Sequence, residues 1–275
     1  MKLKGYLIII AALIILSPVK GQTKSSDISP LLENLYNRIL YTNEDTERIR
    51  LNDSVRLIIS SYVTSDTIFD HKFTNLRYLG QIISPDSHLK IINWNLILRD
   101  GSNKYFCYII RKGEKGEQNL VYELTGENQT VAVRTDQTYS DKNWYGTLYY
   151  GIQQFRKDKN IYYVILGIDY GNILITRKII DVLSFPEDGS LLFGNQCFIK
   201  GEEIKYREVI EYSSEGVMTL RFHSKKMIVF DHLVSISNDQ NEKPEYSGAE
   251  FNYDAYVLKK EVWNFIENVD VKNKK

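Results

Sequence analysis

Histidine and cysteine, which supply many catalytic and metal-binding groups, are scarce in this chain of 275 residues. The four histidines are His71, His88, His223 and His232, and none is paired at the HxxxH or HExxH spacing of zinc sites. The sequence also has no CxxC motif and no GxSxG nucleophile elbow. These absences argue against a metal site and against an α/β-hydrolase serine, and no cofactor is expected.

The chain also lacks an excess of charge of either sign. Lysine plus arginine equals aspartate plus glutamate, at 35 each. Lys2, Lys4 and Lys20 lie in an N-terminal leader without acids, so removing the leader leaves 32 basic and 35 acidic residues. A nucleic-acid-binding protein needs a basic face. The composition therefore predicts no nucleic-acid partner.

Residues 1–21 predict a signal peptide. Lys2 and Lys4 form a positive start, Tyr6 to Leu16 form an apolar segment, and Pro18 ends it before a cleavage site at Gly21. The apolar segment is shorter than the roughly 20 residues of a membrane-spanning helix. An uncleaved anchor is the alternative, but we expect cleavage, no transmembrane span in the mature chain, and an exported protein. Its location is the periplasm, the outer-membrane surface or the extracellular space.

Residues 22–275 predict one β-rich domain with a helical N-terminal segment. Ser29-Pro30 starts one short amphipathic helix and a second fits from about Asp45. From Arg77 onward the apolar period approaches two, and Asp100-Gly101 marks a tight hairpin. The fold class expected is mainly β. It is an antiparallel multi-stranded sheet, as a sandwich or a partly open barrel or meander, with the two helices packed on it. The polar interval 134–143 is a candidate sub-boundary.

The segment 144–233 reads as consecutive antiparallel strands rich in branched and aromatic residues. It contains the strings NWYGTLYYGI, TRKIIDVLSF, FGNQCF and IVFDHL. Over residues 143–234 these strings resemble a group of secreted β-rich proteins of Bacteroidota, for which no activity or site is established. The resemblance implies export and a β-rich architecture.

His232 is the sharpest candidate for acid–base chemistry. Its neighbour Asp231 should point to the opposite face of the strand, so His232 would need another carboxylate to orient it. Separately, Glu208, Glu211, Asp169 and Asp254 lie on or beside strands and could supply the paired carboxylates of glycoside cleavage. Asp231 and Glu211 join His232 as catalytic candidates. The alternative for Asp231-His232 is that one side chain lies at the surface near a turn and the other caps backbone groups.

Trp144, Tyr145, Tyr149 and Tyr150 form the densest aromatic group, and the first three are candidates for stacking on sugar rings. Aromatic pairing inside a sheet is the competing explanation. Cys107 and Cys197 could form a disulfide in an oxidising compartment, or they could be two buried thiols. The sequence favours the buried thiols slightly, because both cysteines have core-type neighbours.

These observations favour a non-enzymatic binding or structural module of the periplasm or cell surface, with a glycan or an envelope protein as partner. The alternative is a small envelope hydrolase, acting on glycans, that uses His232 with carboxylates carried on strands.

Overall fold

A computed structural model describes residues 28–65, 67–114, 117–127, 133–235 and 246–271, with side chains except in 234–235 and 246–251. The predicted signal peptide lies outside these ranges. Strands make up 48% and helices 15%, which confirms the prediction of a mainly β fold. No helix in the described ranges is long and apolar enough to cross a membrane.

Two helices precede the strands, as the sequence predicts. Helix α1 (Ser29–Tyr41) begins at Ser29, with Ile28 as the N-cap and the proline in the first turn. Helix α2 (Asp45–Val63) follows after a short connection. Buried residues of both helices belong to one hydrophobic cluster with residues of the first sheet. Within it, the indole Nε1 of Trp94 donates to Oδ1 of Asn52 at 2.8 Å.

The first sheet has four antiparallel strands in sequence order. They are β1 (Gly80–Ile83), β2 (Leu89–Ile97), β3 (Asn103–Arg111) and β4 (Leu120–Glu127). The predicted Asp100-Gly101 hairpin is confirmed, and Gly101 has the positive φ of 83° that a tight turn demands.

The second sheet has the order β5-β9-β8-β7-β6, with β12 also pairing with β8. Its strands are β5 (Tyr139–Ser140), β6 (Leu148–Lys157), β7 (Asn160–Asp169), β8 (Ile175–Ser184), β9 (Leu192–Phe193) and β12 (Glu208–Ser213). Residues 144–147, expected to be strand, are irregular. At Gly146 φ is 80°, and an added Cβ on Gly126 would lie 2.5 Å from the Cα of Gly146. The chain bends there at a close backbone approach that a regular strand would not allow.

The third sheet has the order β11-β10-β16-β15-β14-β13. Its strands are β10 (Phe198–Lys200), β11 (Glu203–Lys205), β13 (Leu220–Ser224), β14 (Met227–Ser235), β15 (Tyr246–Lys259) and β16 (Val262–Val269). The last described element, β16, is a strand. The described strand pairs are antiparallel with one exception, the short parallel pairing of β10 with β16.

Inner strands of the first two sheets bury both faces. In β3, alternate side chains enter two clusters: Tyr105, Cys107 and Ile109 join the cluster shared with the second sheet, and Phe106, Tyr108 and Ile110 join the helices. Strand β7 divides in the same way, with Tyr163 and Ile165 facing the first sheet and Val164 and Leu166 in a cluster with the third. Burial on both faces explains why these strands are nearly continuously apolar.

The polar interval 134–143 is attached to the second sheet. Its residues 139–140 form β5 against β9. The buried guanidinium of Arg207 donates to the carbonyl oxygens of Arg134 and Gln137. The same group donates to the carbonyl of Phe193 at 3.1 Å and to the carboxylate of Asp181 at 2.8 Å. These bonds hold the interval against the core of the sheet.

Candidate functional site

The carboxylate that orients His232 is Asp254 of β15. Nδ1 of His232 lies 3.0 and 3.1 Å from the two carboxylate oxygens, and the imidazole side chain is 28% exposed. Asp231 is turned elsewhere, as the strand geometry predicts, and accepts from the backbone N–H of Thr219 at 2.7 Å. The structure thus provides the pair that the sequence could only postulate.

Glu211 does not belong to that pair. It lies on β12 in the second sheet, and its Oε1 accepts from Nε of Arg177 at 2.7 Å. Arg177 also donates to the buried carboxylate of Asp169 at 3.1 Å, and Tyr105 donates to the same carboxylate at 2.8 Å. Glu211 is therefore the outer member of an ionic network that extends into the core.

Trp144, Tyr145 and Tyr149 form a buried polar cluster. Each is 3% exposed or less. The indole of Trp144 donates to the hydroxyl of Tyr149 at 2.8 Å, and the hydroxyl of Tyr145 donates to the carboxylate of Asp181 at 2.7 Å. Burial, reinforced by the nearby Asp181 carboxylate, raises the pKa of both tyrosines well above the usual range. A sugar would need an open ring face, whereas here protein covers the rings.

Cys107 and Cys197 are free thiols, both buried, and they belong to different hydrophobic clusters. Burial raises the pKa of the Cys107 thiol well above its ordinary value and that of Cys197 to about 12. Both therefore stay protonated at neutral pH. Among the described residues, no group of three or more His, Cys, Asp or Glu side chains is placed to hold a metal ion.

A cleft of about 1110 Å³ lies where turns of the first and second sheets meet. Its lining includes residues from the segments 86–89, 111–114, 154–163 and 184–196, together with Thr138 and Tyr206. The register of β6 and β7 pairs Gln154 with Tyr163 and Arg156 with Ile161. The end of this hairpin therefore forms one long side of the cleft.

The walls of the cleft are held by specific contacts. The hydroxyl of Tyr163 donates to Oδ2 of Asp86 at 2.8 Å, which joins the hairpin to the turn after β1. Burial opposes ionisation of Asp86, but hydrogen bonds from Ser84, Tyr163 and the backbone of His88 outweigh it and lower the pKa of this carboxyl. Asp86 is therefore charged and fully engaged within the wall.

Amides, aromatic rings and cations dominate the lining. Gln154, Asn160, Asn195 and Gln196 bring amide side chains, and Tyr162, Phe185 and Tyr206 bring rings. Nζ of Lys157 donates to Oδ1 of Asn195 at 2.6 Å and to the carbonyl of Gln196 at 3.0 Å. The Arg111 guanidinium lies 5.0 Å above the centroid of the Phe185 ring. Such groups can bind a polar ligand through hydrogen bonds and ring contacts.

None of these cleft residues was a candidate in the sequence. Two Arg-Lys pairs lie at the ends of strands, Arg111-Lys112 at the end of β3 and Arg156-Lys157 at the end of β6. Both are ordinary features of solvated turns. Only the packing of the first sheet against the second brings the two turns close together. A search for repeated basic turns at the same end of successive strands would have found them.

No known family model matches this chain, and neither does any curated protein sequence or any solved structure.

Proposed function

We propose that this protein is an exported, non-enzymatic binding module whose ligand occupies the cleft. The N-terminal leader supports export, since its charged start, short apolar segment and Pro18 match a signal peptide. A permanent partner in the cell envelope would need a surface site of its own. The cleft of about 1110 Å³ is a concave site of that kind, lined by amides, aromatic rings and cations.

A saccharide chain is the ligand class that suits this cleft. Its volume of about 1110 Å³ is at the upper limit of the roughly 300–1,000 Å³ typical of small-molecule sites. A longer ligand with many hydroxyl groups can use the amides of Gln154, Asn160 and Asn195 and the ring faces of Tyr162 and Tyr206 together. This combination of size and polarity is the observation that carries the proposal.

In this proposal the three sheets form a sandwich that supports the cleft. The three sheets stack face to face, because alternate residues of β3, β7 and β8 enter different clusters. The helices cover the outer face of the first sheet through Leu32, Val55 and Ile59. A stack buried on both sides gives the turns at its end a rigid base.

The test is binding of oligosaccharides to the mature chain, residues 22–275, by calorimetry after a glycan-array screen. Gln154→Ala should weaken binding several-fold, because it removes an amide from the lining. Gln153→Ala is the matched control, since this neighbour lies on the other face of β6 and outside the cleft lining. Equal effects of the two substitutions, or no saccharide bound at all, would refute the proposal.

A small envelope hydrolase is the second candidate, and the contact between His232 and Asp254 favours it. A histidine with a carboxylate on Nδ1 can act as a general base through Nε2. Among the described residues no serine or cysteine hydroxyl or thiol is hydrogen-bonded to His232. Release of reducing sugar from polysaccharides by the native protein, lost in His232→Asn, would support this candidate. A native protein that releases none would exclude that glycan activity.

A further inference from the structure

The cleft lining carries more positive than negative charge. Five lysine and arginine residues contribute to it, against three aspartate and glutamate residues. The cations are Arg111, Lys112, Arg156, Lys157 and Lys159, and the acids are Asp86, Glu114 and Glu187. Because the whole chain is balanced at 35 of each sign, this excess is local.

These cations are not neutralised by carboxylates. Within the described ranges, none of the five has an aspartate or glutamate oxygen within 4.0 Å, whereas several other basic residues do. Lys157 is held by two neutral acceptors, and Arg111 by the face of an aromatic ring. The charge of an ammonium or guanidinium bound in this way remains available to an anion.

Of the three acids of the lining, Asp86 is held within the wall, and the other two offset two of the five positive charges. Both oxygens of Asp86 accept hydrogen bonds inside the wall, from Ser84 and His88 on one and from Tyr163 on the other. Glu114 and Glu187 are exposed. An anion in the cleft therefore meets cations on two sides, with Arg111 on the first sheet and Arg156 on the β6–β7 hairpin.

We infer that the cleft selects acidic saccharides, with carboxylate or sulfate groups seated between Arg111 and Arg156. This inference rests on the proposed function and names its ligand class. Guanidinium groups match the planar geometry of carboxylates and the oxygen array of sulfates better than ammonium groups do. Cations that line one cleft from two different sheets also concentrate anions near the site before binding.

The experiment compares oligogalacturonate with the same oligosaccharide after methyl esterification. The two probes share the sugar chain, and in the ester each carboxylate is replaced by a neutral methyl ester. The acidic form should bind about tenfold more tightly, and its affinity should fall as salt rises from about 50 to 200 mM. The esterified form should show little dependence on salt.

Arg156→Gln should lower the affinity for the acidic probe by about fivefold to tenfold, and leave that for the ester nearly unchanged. Arg99→Gln is the matched control for net charge. Arg99 is exposed, lies in the turn before β3 and is not part of the lining. The length of β3, from Asn103 to Arg111, places that turn about 27 Å from the cleft.

The outcomes separate the two proposals. Equal affinity for the acidic and esterified probes would overturn the selectivity for acidic saccharides and leave saccharide binding standing. A single-stranded oligonucleotide that bound more tightly than the acidic probe would overturn it as well. Absence of binding to every saccharide would remove both the proposed function and this inference.

Discussion

Arg207 and Arg156 are both arginines of the second-sheet region, yet the structure places them in opposite situations. Arg207 is fully buried, forms an ion pair with Asp181 and donates to three backbone carbonyls. Arg156 is exposed in the cleft and has no carboxylate within 4.0 Å among the described residues. The Arg207 guanidinium makes its hydrogen bonds within the protein core, and the Arg156 guanidinium is available to a ligand. Partners and burial, rather than residue type, decide which role a charge takes.

Removing Arg207 should give the largest loss of stability. In Arg207→Met the Asp181 carboxylate stays buried without its cation, and the carbonyls of Arg134, Gln137 and Phe193 lose their donor. A broken buried pair costs about 3–5 kcal/mol. Urea unfolding followed by tryptophan fluorescence measures the change. Arg156→Met is the control and should stay within about 0.5 kcal/mol of the native protein. Similar losses in both variants would contradict the comparison.

The second prediction concerns Lys90, a buried cation that has no carboxylate partner among the residues the structure describes. Its ammonium donates to the carbonyls of Ile68 and His71 and lies 5.7 Å from the ring centroid of Tyr62. Burial, with a smaller contribution from Lys72, lowers its pKa from 10.5 to about 8. The folded state therefore loses this proton near pH 8, while the unfolded chain holds it up to pH 10.5.

Between those two pH values the unfolded state binds more protons, so the free energy of unfolding should rise with pH. Below pH 8 the cost of burying the charge is present in full. One pKa unit is worth about 1.4 kcal/mol, so the rise is at most about 3.5 kcal/mol. The measurement is urea unfolding of the native protein and Lys90→Met from pH 7 to 10.5. The difference between them should widen in favour of the native protein, and a constant difference would contradict the prediction.

The sequence predicts the strands and tight turns, but it does not predict the contacts that distinguish Arg207 from Arg156. The strands β7 and β8 and the hairpin at Gly101 follow from local composition, and the structure confirms them. The hairpin at Asp158 and Lys159 has positive φ at two residues without a glycine, so its turn gives a weaker signal. Strands β5, β9 and β10 are two or three residues long, too short for any periodicity.

For the candidate sites, too, the sequence indicates single residues but not their partners. The sequence identifies His232 and requires an orienting carboxylate, but choosing Asp254 from 35 acids depends on the register of β14 and β15. The Arg111 and Arg156 turns are 45 residues apart and come together only through the packing of two sheets. Local patterns therefore determine elements, while the partner of each charge is set by tertiary structure.

The burial of Arg177 is intermediate between that of Arg207 and that of Arg156, so its loss tests the comparison at a third position. Its side chain is 6% exposed and lies between the buried Asp169 and the partly exposed Glu211. Arg177→Met should cost about 2 kcal/mol, since Asp169 keeps hydrogen bonds from Tyr105 and from the backbone of Gly171. Glu211→Gln should cost less, because water reaches that carboxylate. A loss larger than that of Arg207→Met in the same urea titrations would break the expected order.

The smallest effect is expected at the exposed pair of Arg50 and Glu47 on α2. Their contacts are short, at 2.6 and 2.7 Å, and a salt bridge of this geometry could be taken for a strong one. Water and salt screen the charges, however, and both side chains lose freedom when they pair. Arg50→Gln should therefore unfold at the same urea concentration as the native protein, within the error of the curve. A clear shift would mean that contact distance outweighs burial, and the distinction between Arg207 and Arg156 would then need another cause.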